Sequence, residues 1–210
     1  LDKSNVVVFR KGGYIAKKES WFYKGCEVSV VNSYKYLGMI LSTKLAFSKA
    51  VSELTCKARK GVIDILRTLW KLGDFSADIF VKLFDMQIRP ILLYGAEIWG
   101  LSHQKAVENV HTFALKKLLN VSPRTPNDMV YGETGRYPLF VYTSISVIRY
   151  WLRLTALEES RLPRKAYNML LSLHNDGKIC WASHVCKTLY ETGFGFVWEN
   201  QGVTNHGVFL

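Results

Sequence analysis

Cysteine is scarce in this sequence, with four residues among 210 at irregular spacing. A chain of this size needs no disulfide framework, so this usage indicates a reducing compartment. We therefore expect an intracellular location, in the cytoplasm and the nucleus. Low-complexity tracts and internal repeats are also missing, and an apolar content of 49% excludes a generally disordered chain.

Long apolar runs are missing as well. The longest one, Ile91–Trp99, is short and contains a glutamate, so it predicts a core helix and no membrane partner. The polar opening Leu1–Ser4 does not resemble a secretory signal. The sequence starts without a methionine and close to a predicted strand, and we expect it to be a piece of a longer protein.

Negative charge is in short supply. Asp and Glu number 17 against 28 Lys and Arg, which gives a formal net charge of +11 and a pI of about 9.5. Such an excess favours polyanionic partners, either nucleic acid or an acidic membrane surface, and carries no information about the fold. A third alternative stays open, in which the charge only aids solubility.

Clustered metal ligands are missing too. Glu158–Glu159 is the one adjacent acidic pair, and its position late in a predicted helix indicates a solvated helix end. Cys180, His184 and Cys186 are spaced by four and then two residues, so one helix face cannot present all three to a zinc ion. We predict no metal site in this chain.

The residues that are present predict an α+β fold, with a small N-terminal antiparallel sheet followed by mostly helix. Val6–Phe9 is a continuous apolar run, typical of a strand buried on both faces. Trp21–Tyr23 and Glu27–Val31 predict two further strands, joined by a hairpin turn at Lys24–Gly25. Tyr34–Leu41 predicts the strand that closes the sheet, bent or closely approached at its glycine.

One long amphipathic helix is predicted over residues 44–71, because apolar residues recur there at steps of three and four. Its opposite face is basic and is diluted by Glu53 and Asp64. The cations on or beside this face are Lys49, Lys57, Lys60, Arg67 and Lys71. They form a candidate nucleic-acid-binding surface, and a charged face is equally what any surface helix shows.

Helices are predicted along the rest of the chain. One covers 77–99 with a kink at Pro90, another covers 104–119, and Ser122–Asn127 is a clear loop. The remaining helices are expected near 128–133, 139–159, 163–173 and 178–191. The tail after them has no clear period, and we predict a loop there.

Four segments stand in a recognisable order in the sequence. They are Asp2–Phe9, where a lysine precedes an apolar strand, Tyr34–Gly38, Arg89–Gly100 and Tyr131–Leu139. In this order they resemble the non-LTR (LINE-type) retrotransposon reverse transcriptases. The similar segments of that family are the strand after the catalytic hairpin, the primer-grip hairpin, the helix after the thumb and the element that follows it.

The resemblance implies three regions. Residues 1–43 would be the end of the palm with a primer-grip-like hairpin, 44–121 a helical thumb, and 122–210 a truncated C-terminal helical subdomain. The implied function is to grip primer–template nucleic acid, either an RNA–DNA or a DNA duplex. The remainder of the reverse transcriptase would be a further partner.

The resemblance also implies roles for single residues. Tyr36, Leu37 and Gly38 would hold the primer strand, and the cations of the 44–71 helix would contact phosphates. Lys3 matches a lysine proposed to protonate the pyrophosphate leaving group. The same residue equally fits an exposed lysine at the start of a strand.

The family's catalytic aspartate pair does not occur in this sequence, which contains no aromatic-x-Asp-Asp motif. Mg²⁺ would be bound by those palm aspartates, so we predict no cofactor in this chain and no polymerase activity of the isolated chain. Two alternatives stay open. One is a non-catalytic nucleic-acid-binding module, such as a degenerate copy, and the other is a structural helical domain.

Overall fold

A computed structural model of the chain describes residues 4–10, 20–73 and 76–203. Lys3 lies outside the described residues. The α+β class is confirmed, because two short β-hairpins precede a mostly helical chain. No helix in the described part combines the length and the apolar composition that a bilayer crossing demands.

The strands form two separate hairpins. The first pairs β1 (Trp21–Tyr23) with β2 (Cys26–Val28) around Lys24 and Gly25, which confirms the predicted turn. The second pairs β3 (Ser33–Tyr36) with β4 (Met39–Ser42). The strands are antiparallel as predicted, but the prediction that they share one sheet is wrong.

The two hairpins form separate sheets because the backbone between them is hydrogen-bonded to the N-terminal segment of the chain. Val6 donates to the carbonyl of Ser29 at 3.0 Å and accepts from the amide of Val31 at 2.9 Å. This isolated parallel bridge between Val6 and Val30 takes the hydrogen bonds that would have extended β2. The Val6–Phe9 segment is also not a strand buried on both faces, since Phe9 is 49% exposed.

The long amphipathic helix is confirmed as α1 (Ser48–Leu72). It starts later than predicted because Leu45 has a φ of +50°, which no right-handed helix accepts. It ends at Gly73, whose φ of +70° gives a left-handed cap with its amide bonded to the Trp70 carbonyl. The face with Leu54, Ala58 and its neighbours is buried.

The helix predicted over 77–99 is broken into pieces. The chain forms α2 (Ala77–Leu83), a π-helical turn (Phe84–Ile88), α3 (Arg89–Leu92) and α4 (Ala96–Trp99). Pro90 lacks an N–H and crowds the preceding turn, so the distortion lies before the proline, in the π-helical turn. A second break follows at Gly95, with a φ of +68°.

The other helices lie close to their predicted positions. After a 3₁₀ turn at Gly100–Ser102, they are α5 (Gln104–Leu118), α6 (Asn127–Thr134), α7 (Leu139–Thr155), α8 (Leu162–Asn175) and α9 (Trp181–Glu191). The tail predicted as a loop contains α10 (Gly195–Glu199). That prediction was wrong because burial of Val197 and Trp198, which local periodicity does not report, fixes this short helix.

Two apolar clusters hold the helices together. The first extends from α1 to the start of α7 and includes Phe80, Phe84 and Trp99. The second joins α7 to α8, α9 and α10 around Trp151 and Tyr167. Because α7 contributes to both clusters, it connects the two halves of the helical region. The domain boundaries at 43 and 121 stay a prediction.

Candidate nucleic-acid interface

The tip of the second hairpin is formed by Leu37 and Gly38. Tyr36 pairs with Met39, which leaves a two-residue loop. Both loop residues have positive φ, +47° for Leu37 and +85° for Gly38. Two positive φ values are typical of the type I′ turn, whose twist matches that of the flanking strands. The glycine therefore reverses the chain direction and does not bend a continuous strand.

Tyr94 holds this tip in place. Its hydroxyl donates to the carbonyl of Leu37 at 2.5 Å. A Cβ at Gly38 would lie 3.5 Å from the Tyr94 ring, so the close neighbour of this glycine is an aromatic side chain and not another backbone. One residue on, a Cβ at Gly95 would lie 3.1 Å from Met39. Two of the segments singled out in the sequence thus meet here.

The hairpin tip leaves two large side chains on the surface. Tyr36 is 59% exposed and Leu37 is 74% exposed. An apolar side chain exposed on a left-handed residue is doubly unfavourable, because it loses burial and strains the backbone. Such a combination is characteristic of sites that contact a partner.

The cations of α1 form a stripe along its outer side. At about 100° per residue, Lys49, Lys60 and Arg67 fall within about 20° of one another around the helix axis. Lys71 lies about 40° from Lys49, and Lys57 about 80° from it on the same side. All five side chains are exposed. We call Lys49, Lys60, Arg67 and Lys71 the basic face.

Lys57 differs from the basic face because a carboxylate engages it. Glu53 lies 2.9 Å from Lys57 and also pairs with Lys35 of β3. The hydrogen bond from Lys35, followed by the one from Lys57, lowers the pKa of Glu53 below its ordinary value. The Lys35–Glu53–Lys57 link therefore fastens the second hairpin to the side of α1.

The four cations of the basic face keep most of their charge available. Within the described parts of the chain, Lys49, Lys60 and Lys71 make no ion pair. Arg67 lies 3.9 Å from Asp64, and both side chains are at least 70% exposed, so water screens this pair. A run of exposed cations at helical spacing suits contact with successive phosphates.

The structure also places the residues considered as metal ligands. Glu158 and Glu159 lie in the exposed turn between α7 and α8, just after the helix end. Cys180 donates to the carbonyl of Leu170, and His174 is bonded to Ser183. Over residues 4–10, 20–73 and 76–203, no three His, Cys, Asp or Glu side chains are grouped as a metal ligand set.

A partly buried polar network between the helices was missed by sequence reasoning. Asp85, in the π-helical turn, accepts two hydrogen bonds from Arg136 at 2.7 and 2.5 Å, and Arg89 lies 3.3 Å away. Burial acts to raise the pKa of Asp85, but Arg136 and Arg89 outweigh it and the pKa is lowered. Arg136 belongs to a third of the segments singled out in the sequence, and Arg89 belongs to the same segment as Tyr94.

Glu108 on α5 is the second carboxylate of this network. It accepts from the hydroxyl of Tyr131 at 2.5 Å, from Nδ1 of the buried His111 at 3.0 Å and from the amide of Phe140 at 3.3 Å. Burial alone would raise the pKa of Glu108, and these donors reverse the shift and lower it. The sequence signal that could have found both acids is their place among apolar residues on predicted helices.

The site is thus a β-hairpin docked beside a basic helix, on a helical body whose polar contacts are internal. Comparisons with known proteins find three relatives in part of their length. A probable RNA-directed DNA polymerase from the transposon X-element of Drosophila melanogaster is 26% identical over 145 residues, covering 64% of this chain. The RNA-directed DNA polymerase from the mobile element jockey of Drosophila funebris is 26% identical over 98 residues, covering 47%.

A jockey polymerase of Drosophila melanogaster is 24% identical over 90 residues, or 43% of this chain. The matches relate the chain to the RNA-directed DNA polymerases of retrotransposons. The matched region spans 16%, 11% and 10% of these three relatives. No family model matches the chain, and no solved structure matches it.

Proposed function

We propose that this chain is the part of a retrotransposon reverse transcriptase that holds the primer–template duplex. In this proposal it comprises the end of the palm, the thumb and the helices that follow, and it acts in the cytoplasm and the nucleus. The relationship to RNA-directed DNA polymerases supports the assignment. Nucleotide transfer is assigned to palm aspartates outside this chain, which would hold the two Mg²⁺ ions.

The observation that carries the proposal is the fixed placement of the hairpin tip beside the basic face. Tyr94 holds the Leu37 carbonyl from one side, and Glu53 joins Lys35 to Lys57 from the other. Tyr94 thus sets the position of the exposed Tyr36 and Leu37 side chains, and the Glu53 link is an adjustable surface contact that brings the hairpin beside the cations of α1. A duplex could rest its backbone on the cations while the hairpin contacts one strand.

A binding titration tests this proposal. We expect the parent chain to bind a blunt RNA–DNA duplex without sequence preference. With about four phosphates neutralised, log K should fall with log salt at a slope of about −3 to −4. The Lys60→Glu/Arg67→Glu variant should bind about tenfold more weakly and with a shallower slope, because two contacts become repulsive.

The matched control is Lys165→Glu/Lys178→Glu, which changes the net charge equally. Lys165 lies on α8 and Lys178 follows that helix, and both are exposed. If the control weakens binding as much as the α1 variant, the attraction is a net-charge effect and the basic face is no site. A parent chain that leaves the duplex unbound at low salt would refute the proposal.

A further inference from the structure

A groove runs between α1, α5 and the loop that connects α5 to α6. It has a volume of about 400 Å³. Its lining includes three cations, Arg59, Lys116 and Lys117, together with the ring of Phe113 and the amide of Asn127. No carboxylate lines it among the described residues. The groove is therefore positively charged without local neutralisation.

Arg59 is positioned by the ring beneath it. Its guanidinium carbon lies 4.0 Å from the centre of the Phe113 ring, a cation–π contact. The N–H donors of a guanidinium lie in its plane and along its edge, so contact with an aromatic ring does not consume them. A guanidinium held in this way is prepared to bind a phosphate through two parallel hydrogen bonds.

Lys116 is positioned by the loop opposite. Its Nζ donates to the carbonyl of Pro123 at 3.0 Å, and two of its three donors remain for a ligand. The neighbouring Lys117 side chain is exposed. Neither lysine makes an ion pair within the described residues. Both lysines line the same groove as Arg59.

The carbonyl end of α5, which would repel an anion, is capped by the chain itself. The amide of Val121 donates to the carbonyl of Lys116 at 3.1 Å, and the amide of Asn120 donates to that of Lys117 at 3.3 Å. These bonds require a left-handed residue, and Asn120 has a φ of +52°. The negative end of the helix is therefore reduced where the cations stand.

The groove adjoins the basic face. Arg59 lies about 80° around the α1 axis from Lys49, on the side opposite to Lys57. A double helix is about 20 Å across and cannot enter a groove of this size, whereas one sugar–phosphate backbone can. The lining offers cationic donors for phosphates, and its other polar side chains are Asn109, Thr112 and Asn127.

We propose that this groove binds the backbone of a single-stranded extension that leaves the duplex held by α1. This inference rests on the proposed function. Phosphates of the extension lie between Arg59 and the two lysines, and the strand passes over the edge of Phe113. The groove is thus a second nucleic-acid site, separate from the basic face and from the hairpin.

The test compares a blunt RNA–DNA duplex with the same duplex carrying a single-stranded overhang. The parent chain should bind the overhang substrate about tenfold more tightly, with a salt slope steeper by about 1.4 to 2 for two or three additional single-strand phosphates. Lys116→Glu/Lys117→Glu should abolish this preference and leave the affinity for the blunt duplex within about twofold of the parent value.

Two further variants keep the result interpretable. Lys117→Glu alone changes an exposed side chain without disturbing the Pro123 contact, and it should lose most of the preference. Arg59→Met keeps an unbranched side chain on Phe113 and removes the charge, with the same expected effect. Lys165→Glu/Lys178→Glu should retain the preference.

Each result decides between named possibilities. If the overhang preference survives in both lysine variants, the groove is not the binding site of the extension, and the proposal for the basic face is unaffected. A parent chain without overhang preference, or without any nucleic-acid binding, also overturns it, and the second result removes the proposed function as well. A last experiment measures binding of the same variants to anionic phospholipid vesicles. Vesicle binding that Lys117→Glu abolishes, with the overhang preference unchanged, would make this a lipid headgroup site.

Discussion

Two glutamates on neighbouring helices each connect distant parts of the chain, but in different surroundings. Glu53 on α1 joins Lys35 of β3 to Lys57 at the surface, where the lysine side chains are about half exposed. Glu108 on α5 joins His111, Tyr131 and the start of α7 in a partly buried position, and the side chain of His111 is completely buried.

The difference separates a positioning contact from a structural one. Water competes for every partner of Glu53, and salt screens its two ion pairs, so their net contribution to stability is small. His111, whose side chain is completely buried, has no such alternative, because a donor left unpaired in the interior loses its hydration without compensation. The outer contact can therefore adjust to a bound ligand, whereas the inner contact fixes the helical body.

The largest effect is expected for Glu108→Ala. Removing the carboxylate leaves Nδ1 of His111 and the hydroxyl of Tyr131 without their acceptor, and His111 is completely buried while Tyr131 is partly buried. We expect the free energy of unfolding to fall by about 2–4 kcal/mol. Urea titrations of the parent, of Glu108→Ala and of Glu53→Ala measure the difference. Equal losses of unfolding free energy in Glu108→Ala and Glu53→Ala would show that the two contacts do not differ in their contribution to stability.

The pH dependence sharpens the same comparison. The folded state lowers the pKa of Glu108 from 4.5, so its contribution is present above that pH and is lost as pH falls through the folded pKa. The isosteric Glu108→Gln variant should therefore be less stable than the parent at neutral pH, and the gap should close in acid. A gap that stays constant below pH 4.5 would show that the charge of Glu108 contributes nothing.

Much of the fold follows from local patterns in the sequence. The apolar period of α1 and the Lys24–Gly25 turn are local signals, and both were predicted correctly. The two hairpins were predicted as one sheet because the Val6–Val30 bridge depends on a contact between distant residues. A distortion at Pro90 was predicted, but its π-helical form and the second break at Gly95 were missed, because a continuous apolar period reveals neither.

The site was partly predictable for the same reason. The basic face follows from helical spacing alone, and its role stays a prediction. Tyr94 could not be found as the partner of the hairpin, because it lies 57 residues from Leu37 in the sequence. The ion pair that withdraws Lys57 from the other cations also required the structure, since Lys35 comes from a different element.

An intermediate effect is expected at the hairpin tip, and there a matched pair of substitutions has opposite signs. Gly38→Val places a β-branched residue at a φ of +85° and should cost about 1–3 kcal/mol. Leu37→Asn places a residue that tolerates positive φ at +47° and creates the Asn-Gly pair preferred in this turn. It should raise stability by about 0.5–1 kcal/mol.

Binding measured on the same two preparations separates conformation from contact. A Cβ at position 38 would face the Tyr94 ring, so Gly38→Val disturbs the hairpin without blocking a ligand directly. Leu37→Asn removes an exposed apolar side chain and keeps the hairpin. A stabilised Leu37→Asn variant that binds the duplex several-fold more weakly supports contact at the tip. Unchanged binding in that variant would mean that the tip only packs against Tyr94.

The smallest effect is expected for Glu53→Gln, and it concerns the outer contact alone. The substitution releases Lys35 and Lys57 from their shared carboxylate and removes the acid that lies between them and the basic face. Stability should change too little to move the midpoint of thermal unfolding measurably, because exposed ion pairs contribute little. Affinity for a blunt duplex should rise a few-fold at low salt, since two cations become available to phosphates, and the gain should vanish as salt screens them.

Asp64→Asn is the matched control, because Asp64 lies 3.9 Å from Arg67 in a pair that is mostly exposed on both sides, so its removal should change binding less. If Glu53→Gln instead weakens binding, the Lys35–Glu53–Lys57 link is needed to hold the hairpin beside α1, and the outer contact is as structural as the inner one.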